Sequence, residues 1–295
     1  MLAPMSRIAI IGGGNIGEAL LSGLLRSGRQ VKDMAVAERV PTRVRYLSEK
    51  YSVLVTGVAE AVENATLVVV AVKPSDVEAV TGEIADAAAK ADEGAAEQVF
   101  VSVVAGVSTA YYESKLPAGS PVIRVMPNAP MLVGAGVSAI AKGRFATADH
   151  LKEVGALFDA VGGVLTVSET HMDTVTALSG SGPAYFFLMV EALVDAGVES
   201  GLSRDVATDL VVQTLAGSAA MLLERMQDDP HPLGGDATGR GVDTTPAQLR
   251  ATVTSPGGTT AAGLRELERG NLRAAVAAAV HAAKTRSEQL GITSE

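Results

Sequence analysis

The sequence predicts an α/β N-terminal half built on a doubly wound parallel sheet, followed by an all-α C-terminal half. Three observations carry that prediction. Short apolar, β-branched runs alternate with helical stretches from Arg7 to Val167. A glycine-rich turn, Gly12-Gly13-Gly14-Asn15-Ile16-Gly17, separates the first such run from the first helix. Strand-like runs then stop near Glu169 and long apolar helices replace them. The boundary falls after Ser168, giving segments 1–168 and 169–295.

The elements follow in order. Arg7 to Ile11 is an apolar run suited to a strand buried on both faces. Gly12, Gly14 and Gly17 then match the G-x-G-x-x-G spacing in its strand–turn–helix setting, with a helix from Glu18 to Leu25. One glycine makes the tight turn, one admits a pyrophosphate to the backbone, and one lets the helix lie on the strand. The expected fold is therefore Rossmann-type; a phosphate-free tight turn is the plainer reading. The second strand is Asp33 to Ala37, ending at Glu38, which lies 21 positions after Gly17. That is the spacing of an acid that holds a ribose hydroxyl, and it argues for NADH. Arg39, Thr42 and Arg43 follow at once and suit a 2′-phosphate, or are simply a solvated helix start.

Further strands are Val53 to Val55, Ala65 to Val72, Gln98 to Val104, Val122 to Met126, Gly136 to Ile140 and Gly163 to Val167. Helices from Asp76 to Lys90, Thr109 to Leu116 and His150 to Ala160 separate them. Ligands of such sheets lie beyond the C-terminal strand ends. Gly12 to Gly17, Ala71-Val72-Lys73-Pro74 and Val104-Ala105-Gly106 all fall at such ends and are expected to line one cleft.

In the second half, Tyr185 to Ser200, Ser203 to Met226, Thr260 to Arg269 and Asn271 to Leu290 read as helices. Leu178 to Ala184 reads as a small-residue turn within or between helices, and the Gly- and Pro-rich stretch from Asp228 to Pro246 as a loop or disordered insert. These helices carry more apolar surface than one small domain can bury, so at least a dimer through this half is expected. Val253 to Leu264 combines Ser255-Pro256-Gly257-Gly258 with Thr259-Thr260, a turn that feeds straight into a helix. Thr259 or Thr260 is expected to cap that helix. Its open N–H groups and nearby hydroxyl suit a small carboxylate; a plain capped turn is the alternative.

Composition narrows the function. The 295 residues include 47% hydrophobic but only 3% aromatic residues and no Trp, so Ala, Val, Leu and Ile must build the core. A net charge of −9 without a basic run disfavours nucleic acid. The absence of cysteine excludes disulfides, thiolate catalysis and cysteine-ligated metal. His150, His171, His231 and His281 are scattered without metal spacing, so no metal site is expected. The apolar run Ile8 to Ile11 is too short for a signal peptide or membrane span, and a soluble cytoplasmic protein is expected.

The motifs Ala71 to Pro74, Arg124 to Asn128, Leu178 to Tyr185 and Val253 to Leu264 occur in one order along essentially the whole chain. In this the sequence resembles the pyrroline-5-carboxylate reductase family. The resemblance implies reduction of 1-pyrroline-5-carboxylate to L-proline with NADPH or NADH. It also implies a helical domain that interlocks into homodimers and a decameric assembly. By resemblance, Gly12 to Gly17 and Ala71 to Pro74 match the cofactor-binding segments, and Val104 and Ala105 the segment facing the nicotinamide. Ser255, Gly257, Gly258, Thr259 and Thr260 match the loop that holds the substrate carboxylate. Thr260 matches the threonine placed near the substrate nitrogen, and Glu169 an acid near the substrate. Three positions depart from the family pattern. The loop from Leu233 to Val242 is longer than in many relatives, and Asp243 stands where some have Glu. Glu38 replaces a neutral residue that tolerates a 2′-phosphate, which leaves the cofactor open. A β-hydroxyacid dehydrogenase would share the glycine motif but needs a lysine in the helical half, where only Lys284 occurs. A non-catalytic dinucleotide sensor would need no turn like Pro256 to Thr260.

Overall fold

The computed structural model describes residues 7–90, 97–228 and 245–291. Its contacts divide the chain into two units. One runs to Ser181 and takes in the chain from Ala283 on; the other spans Gly182 to Ala282.

The first unit holds the sheet. Its strands are β1 (Ile8–Ile11), β2 (Met34–Ala37), β3 (Leu54–Thr56), β4 (Leu67–Val70), β5 (Val99–Ser102), β6 (Val122–Met126), β7 (Gly136–Lys142) and β8 (Gly162–Thr166). They pair in the order β3-β2-β1-β4-β5-β6-β7-β8. The order reverses between β1 and β4, the topological switch point where such sheets bind ligands. Helices α1 (Asn15–Arg26), α2 (Pro41–Tyr51), α3 (Val58–Val62), α4 (Val77–Ala88), α5 (Thr109–Lys115) and α6 (Ala148–Phe158) cover the faces. The short helix α7 (Met172–Val175) closes this part of the chain.

The expected parallel sheet needs one correction. β3 through β6 are parallel neighbours, but β7 pairs with β6 in the antiparallel sense. The stretch 127–135 holds only a short 3-10 turn between the two strands. A parallel return needs a crossover of a dozen or more residues, so the chain folds straight back instead. The longer passage through α6 then sets β8 parallel to β7.

Strand alternation splits the core in two. Ile8 and Ile10 face Leu20, Leu21 and Leu24 of α1 and Phe158 of α6. Ala9 and Ile11 join Val77, Val80 and Ile84 of α4 with Tyr111 and Tyr112 of α5. Because both faces are covered, the strands read as continuous apolar runs. Each fully buried Leu or Ile contributes about 1.5–3 kcal/mol.

In the second unit, α8 (Gly182–Glu199) and α9 (Arg204–Asp228) form a helical hairpin. Gly201, at φ +100°, ends α8, and the Leu202 N–H bonds the Gly197 carbonyl at 3.1 Å. This is the left-handed helix stop that glycine allows. A Cβ on Gly197 would lie 3.1 Å from the Ala207 Cβ, so small residues let the two helices close up. Three helices follow, α10 (Thr245–Thr252), α11 (Thr259–Arg269) and α12 (Leu272–Leu290). The last turns of α12 belong to the first unit, where Ser287 Oγ donates to Asp173 at 2.7 Å.

Two sequence expectations change here. Leu178 to Ala184 lies within helix, the first of the two expected placements, and forms no open turn. A π-helical segment, Thr176–Gly180, leads almost directly into α8, with the Ser181 N–H on the Thr176 carbonyl at 2.8 Å. The predicted loop from Asp228 to Pro246 lies mostly outside the described residues, but Thr245 and Pro246 already open α10. Pro fits there because the first turn of a helix needs no N–H from it.

The tightest backbone approach in the sheet joins the starts of β7 and β8. Gly162 has φ +145°, and a Cβ there would stand 1.9 Å from the Gly136 carbonyl oxygen. Gly162→Ala is expected to destabilise the protein by about 2–4 kcal/mol through clash and backbone strain, as read from urea unfolding.

Candidate active site

The glycine turn is built by steric exclusion. The Gly12 N–H bonds the Ala37 carbonyl at 2.8 Å, and Gly12 takes φ +110°. A Cβ on Gly12 would meet the Ala71 oxygen at 2.5 Å, and one on Gly17 would meet the Gly12 oxygen at 2.0 Å. Gly14 is the N-cap of α1, in extended conformation and without a side-chain cap. Its chain neighbours apart, no atom of the described residues lies within 4 Å of where its Cβ would be. Gly13 is closed off by Leu47 and Glu38, whereas Asn15 is exposed and Ile16 half-buried at the helix start. The first-turn N–H groups of α1 therefore face an open approach with a partial positive charge, a fit for a pyrophosphate.

Two further segments lie at the ends of the neighbouring strands. The Ala71 N–H bonds the Ile11 carbonyl at 2.8 Å, which ties the end of β4 to the end of β1. Val72 is half-buried; Lys73 and Pro74 are exposed. After β5, Val104 is buried and Ala105 half-buried. Gly106, at φ +76°, lets the Leu290 carbonyl approach to 3.1 Å of its missing Cβ. Below this loop lies a polar network. The Val104 N–H donates to Ser102 Oγ at 3.3 Å, and Ser102 Oγ donates to the Tyr112 hydroxyl at 2.9 Å. Burial pushes the Tyr112 hydroxyl up to about 12; the Tyr111 neighbour adds to the rise, while the Ser102 bond and Arg124 oppose it.

Glu169 is bound into the sheet unit. Its carboxylate accepts the Thr109 N–H at 2.6 Å and the Thr109 hydroxyl, and lies 3.6 Å from buried Arg124. It thus places a negative charge at the start of α5 and neutralises a buried guanidinium.

Glu38 and Arg39 stand at the end of β2. Glu38 Oε2 accepts the Gly13 N–H at 3.0 Å, and Oε1 accepts the Arg39 and Val40 N–H groups, both at 2.8 Å. The Arg39 guanidinium turns away to Asp76 at 2.8 Å. Sequence reasoning missed the acid that organises this corner, Glu18. It accepts from Arg43 at 2.7 Å, Lys50 at 3.0 Å, and Tyr46 and Tyr51 both at 2.9 Å. Arg43 also donates to the Gly13 carbonyl through Nε at 3.0 Å and through Nη2. The signal was present: Arg43, Tyr46 and Lys50 repeat at i, i+3 and i+7 on one helix face.

In the second unit, Ser255-Pro256-Gly257-Gly258 is a type II turn. The Gly258 N–H bonds the Ser255 carbonyl at 3.0 Å, and Gly257 has φ +71°. The threonines do not cap α11. Gly258 is the N-cap, without a side-chain bond, and Thr259 and Thr260 are the first two helical residues. The extended backbone of Gly258 ends the turn one residue earlier than a threonine cap would. Both threonines are exposed in the single chain, as are Ser255 and Gly257. The arrangement leaves the first N–H groups of α11 and two hydroxyls open at one point.

No group of three or more His, Asp or Glu residues suited to a metal occurs among the described residues. His150 instead completes a capping box with Thr147 at the start of α6.

A switch-point glycine turn, an acid at the end of β2 and a helical second unit define a nucleotide-dependent oxidoreductase. Comparison with known proteins agrees. Residues 7–106 match the family model for NADP oxidoreductase, coenzyme F420-dependent, and residues 169–290 match that for pyrroline-5-carboxylate reductase dimerisation. The chain is 70% identical to the pyrroline-5-carboxylate reductase of Mycobacterium tuberculosis, over 100% of both chains. The Corynebacterium melassecola enzyme is 43% identical, over 97% of this chain and 99% of that one. Among solved structures, the Coxiella burnetii reductase superposes with TM-score 0.84 at 35% identity, covering 98% of this chain and 100% of that one. The Plasmodium falciparum reductase, with NADP bound, gives 0.79 at 26% identity over 99% and 100%. The chain belongs to the pyrroline-5-carboxylate reductase family.

The Glu18 cluster carries a pH signature. Burial pushes its carboxyl up, but bonds from Arg43, Lys50, Tyr51 and Tyr46 outweigh this and lower it from 4.5 to about 2. The unfolded state therefore binds more protons in that window, so the contribution is full above pH 4.5 and lost as pH falls towards about 2. Thermal midpoints of wild type and Glu18→Gln are expected to differ most above pH 4.5 and to converge near pH 2.

Proposed function

We propose that this chain reduces 1-pyrroline-5-carboxylate to L-proline with NAD(P)H, the last step of proline biosynthesis. The observation that carries this reading is the full-length match to reductases of that name, 70% identical across every residue. Residues 1–168 bind the nucleotide, and residues 169–295 bind substrate and form the dimer.

The nucleotide, when bound, supplies a hydride to the imine carbon. The chain's own residues do the rest by binding and orientation. Gly12 to Gly17 receive the pyrophosphate on the amide end of α1. Ala71 to Pro74 complete the nucleotide site, and Val104 and Ala105 face the nicotinamide. The open amides of Ser255 to Thr260 hold the substrate carboxylate. Thr260 orients the ring nitrogen and stabilises the product amine. A cyclic imine is protonated before or on binding, so no strong protein acid is required.

The exposed apolar faces of α8 and α9 support a homodimer. Phe186, Phe187 and Leu188 are 60%, 68% and 66% exposed in the single chain. Residues 169–199 and 204–226 are long and apolar enough to cross a membrane. Glu191 and Asp195 in the body of α8 oppose that reading, at up to about 2.5–3.5 kcal/mol for an acid at a bilayer centre; Asp205 and Asp209, near the start of α9, oppose it less. A second copy of the chain covers these faces instead. Assembly of such dimers into a decamer, in the cytoplasm, completes the proposal.

Oxidation of NAD(P)H on addition of pyrroline-5-carboxylate, with proline as product, tests the activity. Thr260→Ala is expected to lower turnover by about 10- to 1000-fold, the scale of one lost orienting hydrogen bond, with Thr260→Ser retaining most of it. Unchanged turnover in Thr260→Ala would remove that residue from its role.

A further inference from the structure

We propose that this chain selects NADH over NADPH through Glu38, with Glu18 withholding Arg43 from any 2′-phosphate. The inference rests on the proposed nucleotide site and deepens it. The two nucleotides differ only at the adenosine 2′ position, a hydroxyl in one and a phosphate ester of roughly −1.5 to −2 charge in the other. A carboxylate accepts the hydroxyl and repels the ester.

Glu38 is locked where that choice is made. It follows β2 directly, beside the switch point. Its two oxygens hold three backbone N–H groups, from Gly13, Arg39 and Val40. Turning the side chain out of the way would strand three donors, one of them in the glycine turn itself. Oε2 carries only the Gly13 bond and retains capacity for a ribose hydroxyl.

A 2′-phosphate also needs a cation that can turn towards it, and two of the three cations near the turn, Arg43 and Lys50, are held by Glu18. Arg43 spans the Gly13 carbonyl and Glu18. Lys50 is on the same Glu18 carboxylate at 3.0 Å. Arg39 pairs with Asp76 at 2.8 Å, an exposed pair that restrains it only weakly. Lys73 has no ion pair among the described residues, but it follows β4, on the far side of β1 from β2. Glu38 therefore faces the nucleotide with its charge fixed in place, and the arginine nearest the turn is held by a second acid.

Direct titration of the full-length protein with NADH and with NADPH, followed by nicotinamide fluorescence, separates the outcomes. Wild type is expected to bind NADH at least about 10-fold more tightly, equivalent to about 1.4 kcal/mol. Glu38→Gln removes the charge, keeps one acceptor oxygen and sets its NH2 against a backbone N–H, and should reduce the preference by about 5-fold or more, mainly by tightening NADPH relative to NADH. Glu18→Gln should reduce it by about 3-fold at most, because it weakens one hold on Arg43 and leaves the bonds to the Gly13 carbonyl. Equal or tighter binding of NADPH by wild type overturns the proposal, as does an unchanged preference in Glu38→Gln. An unchanged preference in Glu18→Gln overturns the part assigned to Arg43. Should Glu38→Gln fail to fold, the wild-type ratio decides alone. Failure to bind either nucleotide would instead count against the reductase reading.

Discussion

Where β1 hands over to α1, three stretches of backbone converge with no space for a side chain, and the nucleotide half is arranged around that closeness. Gly17 lies against the Gly12 carbonyl, and Gly12 lies against Ala71 at the end of β4. Contact at this range brings the amide end of α1 level with the strand ends. It also ties the exit of β1 to the exit of β4, across the position where strand order reverses. A methyl group at either glycine would push the helix off the sheet and move the anion site with it.

Carboxylates hold the surroundings of that turn in place. Glu38 receives a glycine-turn amide, and Glu18 anchors Arg43, which grips the next carbonyl of the same turn. Glu169 does comparable work elsewhere in the same unit, joining the start of α5 to buried Arg124 on β6. The chain is acidic overall, with a net charge of −9. Its acids near the turn are each supplied with donors that compensate for partial burial.

The helical unit follows a different logic. Val194 and Ala207 are the buried apolar residues of α8 and α9, while most large side chains on both helices remain exposed. A hairpin with so little interior cannot account for its own stability by burial. Its apolar surface is the kind that a partner of matching shape removes from water, consistent with a family model described by dimerisation.

Much of this was legible in the residues. The apolar runs located the eight strands within a few positions, most sharply for the inner strands, which are covered on both faces and exclude polar residues. The Pro256-Gly257 turn was legible too, since only certain residues adopt its backbone angles. Periodicity could not show that β7 reverses direction, because strand sense depends on what the connection can span. Nor could it show that Gly258 rather than a threonine caps α11. The repeat of Arg43, Tyr46 and Lys50 on one helix face was visible, but not that Glu18, 25 to 33 positions away, would meet it, nor that Glu38 would be held by backbone amides that every sequence contains. The sequence alone determined the order of elements and the positions where side chains must be absent, because these follow from local sterics and burial. Only the tertiary structure decided which charges meet, because that depends on how separate segments are brought within a few ångströms of each other.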